Sequence, residues 1–314
     1  MKTIGFFNSR GGIGQTSLVY HLAWMLAGLG ERVLAVDLDP QVGLTGMCLD
    51  DDRLEAIWNT DRAPTLFSAA QPSLGQPDNI SAVIEPLDDN LGLLCGDPRL
   101  AKVEDALAEA WLRRAESDPA ATREMTAFSR AIALAGTTYG AKVALIDIGP
   151  NLGALNRAAL RGCDFIVSPV GPDRLSLQGL RDTGLTLRIW GGGSGCAGMR
   201  PAGYIVLRNI VRSGRPARDI ARWTARFPDT YHCDVLNEAT TGVLRVEDDA
   251  ACLGVLKDYW SLLPLAQEAQ KPIFALRPAD GAFGGHQTAV TEAWRDYRQL
   301  AGRVMAGCGM SLKP

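Results

Sequence analysis

The sequence has no run of about 18 uncharged apolar residues, so it contains no candidate transmembrane helix. It also lacks a C-x-x-C pair. Its seven cysteines are odd in number and widely scattered, which argues against both a disulfide framework and a cysteine-based metal or iron–sulfur site. The first residues, MKTIGFFNSRGG, lack the apolar stretch of a signal peptide and predict a strand instead. From these absences we expect a reduced, cytoplasmic protein that does not bind a membrane.

The chain has little excess charge: 32 Lys and Arg face 35 Asp and Glu, for a formal charge of −3. This balance argues against a histone-like protein that coats nucleic acid, although a local basic patch is compatible with it. With 46% hydrophobic residues, the chain is apolar enough to bury a large core. We expect one elaborated domain over residues 1–314, with a helical insertion at about 100–133 and a Gly-rich loop at 190–201.

Short apolar runs alternate with longer helical stretches. Most of the runs are apolar at successive positions, which is typical of strands buried on both faces. The clearest helix is Gln15–Leu29, with Gly30 at the position of a C-terminal cap. The pattern predicts an α/β fold with a mostly parallel twisted sheet and helices on both faces. The predicted strands are Thr3–Asn8, Val33–Asp37, Leu91–Cys95, Val143–Ile148, Phe165–Val170 and Tyr204–Asn209.

The first predicted strand leads directly into a glycine-rich turn that opens the first helix. Glycines allow positive φ angles and close approach, while free amides and the helix dipole attract a phosphate. A standard P-loop would carry a lysine immediately before the threonine, and Gln15 occupies that position. The turn predicts a phosphate site, and a glycine-rich turn without a ligand is the alternative. Its expected binding residues are Gly11, Gly12, Ile13, Gly14, Gln15, Thr16 and Ser17.

Carboxylates follow two of the predicted strands. Asp37 and Asp39 lie at the end of the second strand, and Asp147 lies at the end of a later one. Because parallel strands place their carboxyl ends on one edge of the sheet, we expect these acids to face the phosphate loop. One or two of these acids would hold Mg²⁺ or its waters, and another would act on the attacking water. The candidate metal ligands are Thr16, Asp37 and Asp147. Any one of these acids could instead be a plain helix cap.

These features resemble the ParA/MinD-type ATPases with a deviant Walker A motif, and the ParA branch in particular. The resemblance covers most of the chain: RGGIGQTS against the family pattern KGGxxK(S/T), VDLDPQ, IDIGPNLGALNRAALRGCDFIVSPVGPDRLSLQGL and KPIFALRPADGAFGGHQTAV. It implies a P-loop NTPase fold and a homodimer that encloses two ATP molecules with Mg²⁺. It also implies that the ATP form binds non-specific DNA, and that a ParB-like or other adaptor links this nucleoid-associated switch to plasmid or chromosome partition.

The resemblance also implies residue roles. Arg10 falls on the signature lysine that reaches the partner's phosphates, and Gln15 falls on the main P-loop lysine. Thr16 falls on the Mg²⁺ ligand, Asp39 on the carboxylate tied to water activation, and Asp147 on the Walker B acid. The expected catalytic residues are therefore Asp39, Arg10, Gln15 and Asp147.

Gln15 removes a positive charge beside a polyanion, whereas Arg10 keeps one. A charge-assisted hydrogen bond is worth roughly 1.5–3 kcal/mol, so a loss of about ten- to hundredfold in affinity or hydrolysis is expected. Hydrolysis suffers more, because charge develops on the phosphoryl oxygens during transfer. We predict ATP or ADP binding with slow or absent turnover. A catalytically inactive regulator or scaffold is the alternative, and the sequence leaves open whether Gln15 is natural or engineered.

A basic segment lies late in the chain. Arg218, Arg222 and Arg226 repeat every four residues, so a helix starting after Pro216 would display them as a stripe, with Arg215 at its N-terminus. Such a stripe would bind DNA phosphates without reading bases, and a solvated arginine face is the alternative. A last helix, Thr288–Met305, carries Val290, Trp294, Tyr297, Ala301 and Val304 at helical spacing. It is expected to dock on the domain through this face rather than lie on a membrane as in MinD.

Overall fold

The computed structural model describes residues 1–60, 63–71, 82–114, 118–191, 198–209, 211–212, 215–216, 218–243, 245–259 and 261–313. The strands are β1 (Lys2–Phe6), β2 (Val33–Asp37), β3 (Glu85–Asp88), β4 (Leu91–Leu94), β5 (Val143–Asp147), β6 (Phe165–Val170), β7 (Arg200–Asn209), β8 (Val211–Arg212), β9 (Arg215–Pro216) and β10 (Cys252–Lys257). The α-helices are α1 (Gln15–Gly28), α2 (Gly43–Cys48), α3 (Asp51–Trp58), α4 (Leu66–Ala70), α5 (Glu104–Arg114), α6 (Pro119–Met125), α7 (Ala127–Tyr139), α8 (Ala154–Arg161), α9 (Arg174–Gly191), α10 (Arg218–Thr224), α11 (Phe227–Thr230), α12 (Leu263–Ala269) and α13 (Gly285–Gly307).

Eight of the strands form one sheet in the order β10-β7-β6-β1-β5-β2-β4-β3. Every neighbouring pair is parallel except β3 and β4. The predicted parallel sheet is thus confirmed, with small shifts at the strand ends: β1 begins at Lys2, and β7 begins at Arg200. Two strands of this sheet, the antiparallel β3 and the parallel β10, were absent from the prediction; in β3, Pro86 and the two acids are untypical of a strand. An edge strand tolerates them.

Apolar side chains cover both faces of the sheet. One core lies between the sheet and α1, α2, α12 and α13, and the other lies between the sheet and α4, α7, α8, α9 and α11. Successive residues of a strand point to opposite faces, so Val33 joins the first core and Leu34 the second. This explains why the strands are apolar at successive positions.

The first and last helices pack against each other. α1 ends one residue earlier than predicted, and Gly30 follows it with a φ of 84°, as expected of a C-terminal glycine. α13 buries Tyr297, Leu300 and Val304, which confirms docking on the domain. Trp294, which the apolar spacing also assigned to that face, is 40% exposed instead. Within the described residues, no helix has both the length and the apolar character needed to cross a membrane.

Residues 100–133, predicted as a helical insertion, cover the first half of α7, which belongs to the second core, and the two helices α5 and α6. Asp118 caps α6 by accepting a hydrogen bond from the amide of Ala120 at 2.8 Å. Ala110, Ala121 and Met125 form a small separate core between the two helices. Of the predicted Gly-rich loop, residues 190–191 end α9 and residues 200–201 begin β7, while residues 192–197 lie outside the described residues.

Candidate functional site

The loop between β1 and α1 has the shape of an anion cradle. Gly12 and Gly14 have φ angles of 74° and 94°, and Gly14 is the residue that precedes α1. A side chain at Gly12 would meet no atom within 4 Å, so the space above the loop is open. Asn8 fixes the base of the loop, because its amide donates to the Pro169 carbonyl at 2.7 Å and its Oδ1 accepts from the Arg10 amide at 2.9 Å. The loop is therefore preformed around the first amides of α1.

The parallel register brings two buried acids together at the carboxyl edge of the sheet. Asp37 ends β2 directly opposite Asp147 at the end of β5, and both carboxyls are almost fully buried. Burial raises the pKa of Asp147 to about 7, and the neighbouring charge of Asp37 adds to this shift. Burial likewise raises the pKa of Asp37 to about 6. The Oδ2 atom of Asp147 is buried without a hydrogen-bond partner, so it is available to a cation.

Asp37 and Asp39 have different surroundings. Oδ2 of Asp37 accepts from the amide and hydroxyl of Thr45 at 2.8 and 2.7 Å, and its Oδ1 accepts from the amide of Asp39 at 3.2 Å. Asp37 therefore holds the loop that follows β2 and the start of α2. Asp39 is only half-buried, and Gly149 approaches it so closely that a side chain there would lie 3.1 Å from its Oδ1.

Gln15 points toward the end of β5. Its Nε2 donates to Oδ1 of Asp147 at 2.9 Å and to the carbonyl of Ile148 at 2.7 Å. The Gln15 amide therefore links the phosphate loop to Asp147 at the end of β5. Sequence reasoning placed Gln15 at the phosphates and missed this contact, because nothing in the sequence pattern fixes the direction of a side chain.

Arg10 is folded back on its own loop. Its Nη1 donates to the Gly11 carbonyl at 2.7 Å, and its Nε is buried without a hydrogen-bond partner. Pro150 lies on the other side of the same glycine, where a side chain at Gly11 would meet its Cγ at 3.3 Å. The Arg10 guanidinium thus lies beside the phosphate loop of its own chain.

The donor set fits Mg²⁺ held together with a phosphate. Among the described residues, no group of three or more His, Cys, Asp or Glu side chains could hold a metal alone. Mg²⁺ usually takes one or two protein ligands and completes its shell with water and phosphate oxygens. The unpartnered oxygen of Asp147 and the hydroxyl of Thr16, in the first turn of α1, supply ligands of that kind.

Sequence reasoning missed two polar residues that shape these loops. Thr45 binds Asp37, and its hydroxyl also accepts from the amide of Gly96 at 2.8 Å. Asn156 is fully buried, and its Nδ2 donates to the carbonyls of Gly149 and Asn151 at 2.6 and 2.8 Å. The one sequence signal for Asn156 was its amide side chain on the otherwise apolar face of the helix ALNRAAL.

Comparison with known proteins identifies the family. A model described as an AAA domain matches residues 1–189, more than half of the chain. Protein IncC of Escherichia coli is 30% identical over 278 residues, which cover 88% of this chain and 68% of IncC. The chain belongs to the ParA/MinD-type P-loop ATPase family. The chromosome partitioning protein ParA of Caulobacter vibrioides is 28% identical over 181 residues, 57% of this chain and 60% of that protein.

A solved structure shares the fold of this ParA-type chain. Cyanothece McdA in complex with ATP superposes with a TM-score of 0.70 over 100% of this chain and 98% of its own, at 15% identity. The agreement supports the P-loop NTPase fold that the sheet order indicates. The match to ParA leaves two fifths of that relative uncovered, so what the whole relatives do is a proposal for this chain.

A cavity of about 110 Å³ opens beside the phosphate loop of this ParA-type chain. Gly14 and Ser17 line it from the loop and α1, and Leu207, Asp258 and Tyr259 line it from the carboxyl ends of β7 and β10. A larger cavity of about 220 Å³ lies between α1, α2 and α12, and neither cavity is lined by Asp37, Asp39 or Asp147. The smaller cavity adjoins the loop on the side away from β5, so the site extends across several strand ends.

The arginine segment of this ParA-type chain differs from the predicted stripe. α10 ends at Thr224, and Arg226 precedes a new helix that begins with Phe227 and Pro228, so one continuous helix does not carry all three arginines. The exposed Arg222 and Arg226 both lie over the ring of Trp223, at 5.3 and 5.6 Å from its centroid. Arg215 lies in β9, where it pairs with Arg212 of β8, instead of at the N-terminus of a helix. The segment still gathers arginines, but on a ribbon, a short helix and a turn.

Proposed function

We propose that this chain is a ParA-like, Mg–ATP-binding dimeric switch that positions DNA or another cargo in the cytoplasm. The observation that carries the proposal is the buried Asp147, with its raised pKa and its unpartnered oxygen, beside a preformed phosphate loop. Residues Gly11–Ser17 would bind the phosphates of ATP or ADP. Thr16 and Asp147 would hold Mg²⁺, which when bound neutralises charge on the phosphates. Asp37, the third predicted Mg²⁺ ligand, has both oxygens bound by donors from Thr45 and Asp39, so in this proposal it supports the site by holding Asp39 toward the attacking water.

The cavity of 110 Å³ supports a place for the nucleotide base. It adjoins Gly14 and Ser17, and it is lined by apolar side chains together with the polar Asp258 and Tyr259. A planar base in such a cavity would stack on apolar groups and be read by a few polar ones. This arrangement places the base next to the carboxyl ends of β7 and β10.

Gln15 supports slow or absent hydrolysis. Its amide is neutral, and its two hydrogen bonds to Asp147 and Ile148 direct it away from the phosphate loop. The site therefore lacks the positive charge that would stabilise the phosphoryl oxygens as charge develops on them. Arg10 keeps a cation nearby, but its bond to Gly11 must break before its side chain can reach a partner protomer.

The substitution Gln15→Lys tests this proposal. We expect MgATP binding in both forms and a rise in phosphate release of about ten- to hundredfold in Gln15→Lys, the range that one charge-assisted hydrogen bond supports. Phosphate release and MgATP affinity are measured side by side, with Gln15→Ala as the control that frees Asp147 without adding charge. Absence of MgATP binding in the unaltered protein contradicts the proposal.

A catalytically inactive nucleotide-binding regulator is the second candidate. The observation that favours it is the hydrogen bond from Gln15 to Asp147, because this bond engages the acid that would otherwise face Mg²⁺. Tight MgATP binding without turnover in both the unaltered protein and Gln15→Lys would select this candidate over a switch.

The family resemblance supports a homodimer, non-specific DNA and a ParB-like or other adaptor as partners. For DNA, the proposed residues are Arg215, Arg218, Arg222 and Arg226. Arg222 and Arg226 are exposed, and both are stacked on one tryptophan, which limits their motion. The double substitution Arg218→Glu with Arg222→Glu should abolish DNA retention at low salt and leave MgATP affinity intact. Unchanged retention would remove DNA from the proposal.

A further inference from the structure

One side chain connects the helical insertion to the candidate site. Glu104, the first residue of α5, accepts hydrogen bonds from the backbone amides of Ala154 and Leu155, the second at 3.0 Å. These are the first two residues of α8, and Gly153 at the cap position has no side chain that could accept from them. α8 is therefore capped by a residue 50 positions earlier in the chain.

The loop that α8 follows touches three parts of the site. The carbonyl of Ile148 accepts from Gln15. Gly149 lies against Asp39, and Pro150 lies against Gly11. Loop 148–153 is thus held by Gln15 at the site and by the start of α8 at its far end, and a shift of α8 would move it against both the phosphate loop and Asp39.

α5 and α8 also contact each other through side chains in the first turn of α8. The guanidinium of Arg157 in α8 lies 4.6 Å from the ring centroid of Trp111 in α5 and 4.6 Å from that of Trp190 in α9. Burial lowers the pKa of this guanidinium, but a stack between two indoles favours its charged form. The insertion therefore packs on α8 both at the N-terminus of that helix and in its first turn.

We propose that Glu104, in the helical insertion, is a positioning residue for Mg-nucleotide binding. It fixes the start of α8, and this fixed helix start holds loop 148–153 against Asp39 and Gly11. The inference rests on the proposed nucleotide-binding function. The carboxylate sits at the positive end of the α8 dipole and accepts from two amides, which are both charge-assisted contacts. Removing it leaves both amides without their acceptor and loosens the start of α8, while Asn156 still holds the carbonyls of Gly149 and Asn151.

Two substitutions and a matched control test the proposal. Glu104→Ala removes both acceptors, and Glu104→Gln keeps one acceptor oxygen without the charge. Glu109→Ala alters an exposed acid on the same helix. We expect Glu104→Ala to weaken MgATP binding by about three- to tenfold, the range seen for residues that couple through others. ADP binding without Mg²⁺, which depends on the amides of the phosphate loop, should stay within about twofold. Glu104→Gln should be intermediate.

Hydrogen exchange of residues 148–156 in the nucleotide-free protein gives a readout that is independent of nucleotide. It should rise in Glu104→Ala and stay unchanged in Glu109→Ala. Failure of the unaltered protein to bind ATP would overturn the proposed function, while exchange still decides whether Glu104 holds the loop. Exchange and an MgATP-to-ADP affinity ratio that match Glu109→Ala, in a protein that binds ATP, would overturn the role of Glu104 alone.

Discussion

Buried carboxylates lie at both ends of the parallel strands, but Glu31 at the amino ends and the pair Asp37 and Asp147 at the carboxyl ends differ in whether a cation lies beside them. At the amino ends, just before β2 and β5, the buried Glu31 has a cation: Nζ of Lys142 lies 2.9 Å from its Oε2. The backbone amide of Lys313 donates to the same carboxylate at 2.6 Å. At the carboxyl ends, Asp37 and Asp147 lie side by side, and no lysine or arginine of the described residues forms an ion pair with either.

This difference indicates that the amino edge of the sheet serves stability and the carboxyl edge serves binding. Burying a charge without a partner is costly, and the amino edge removes that cost with its own lysine. The carboxyl edge instead raises the pKa of Asp147 to about 7 by burial and leaves one of its oxygens unpartnered. An acid in that state is ready for a ligand that brings positive charge. We therefore expect substitutions at the amino edge to change stability and those at the carboxyl edge to change binding.

The largest expected effect is on stability, from Lys142→Ala at the amino edge. It leaves Glu31 buried without a cation, which for a fully buried pair costs about 3–5 kcal/mol. Because the Lys142 side chain is 38% exposed, we expect a smaller loss of about 2–3 kcal/mol in the free energy of unfolding. Urea denaturation measures it. MgATP affinity should be unchanged, and a loss of affinity without a loss of stability would contradict the comparison.

The second prediction concerns pH at the carboxyl edge. The folded protein keeps the proton of Asp147 up to about pH 7, whereas an unfolded chain releases it near its ordinary pKa of 3.8. As pH rises through this window, the unfolded state loses protons first, so the free energy of unfolding of the nucleotide-free protein falls. Asp147→Asn should flatten that dependence and be more stable at pH 8 by about 1–2 kcal/mol.

The same variant should lose the Mg²⁺-dependent part of ATP binding. In the unaltered protein that part should strengthen from pH 5 to pH 8, as Asp147 loses its proton. Denaturation and binding at both pH values measure the two effects together. An equal pH slope of stability in the two proteins would show that Asp147 does not carry the effect.

The sequence allowed the gathering of the acids at one edge to be predicted, because strands that alternate with helices run parallel and end at the same edge of a sheet. The strand order was not predicted. Asp37 and Asp147 end strands that pair in register, and their meeting needs only a parallel sheet. The pattern could not distinguish the buried Asp37, which organises a loop, from the half-buried Asp39 two residues later. That distinction depends on the backbone after β2, where Thr45 returns to bind Asp37.

The sequence pattern does not predict side-chain directions or the ends of helices. The bond from Gln15 to Asp147 depends on a rotamer choice between two polar targets, phosphate or carboxylate. The arginine stripe failed as one helix because α10 ends at Thr224 and α11 begins at Phe227, with Pro228 in its first turn, and the spacing of arginines does not predict this break. Trp294 was assigned to a buried face by spacing alone, but a partly exposed ring still packs on α13 beside Arg298.

The smallest expected effect comes from a comparison of two glycines that lie at opposite edges of the sheet. Gly12 at the carboxyl edge has a φ of 74°, and Gly140 before β5 at the amino edge has a φ of 71°. An added Cβ would meet no atom within 4 Å at either position, so alanine costs only the left-handed backbone, about 1 kcal/mol in each variant. Because the open space at Gly12 is the expected place of the phosphates, Gly12→Ala should also weaken ADP binding, whereas Gly140→Ala should not. Denaturation and ADP titration of the pair measure this, and equal ADP affinities would show that the carboxyl edge is not where the phosphates bind.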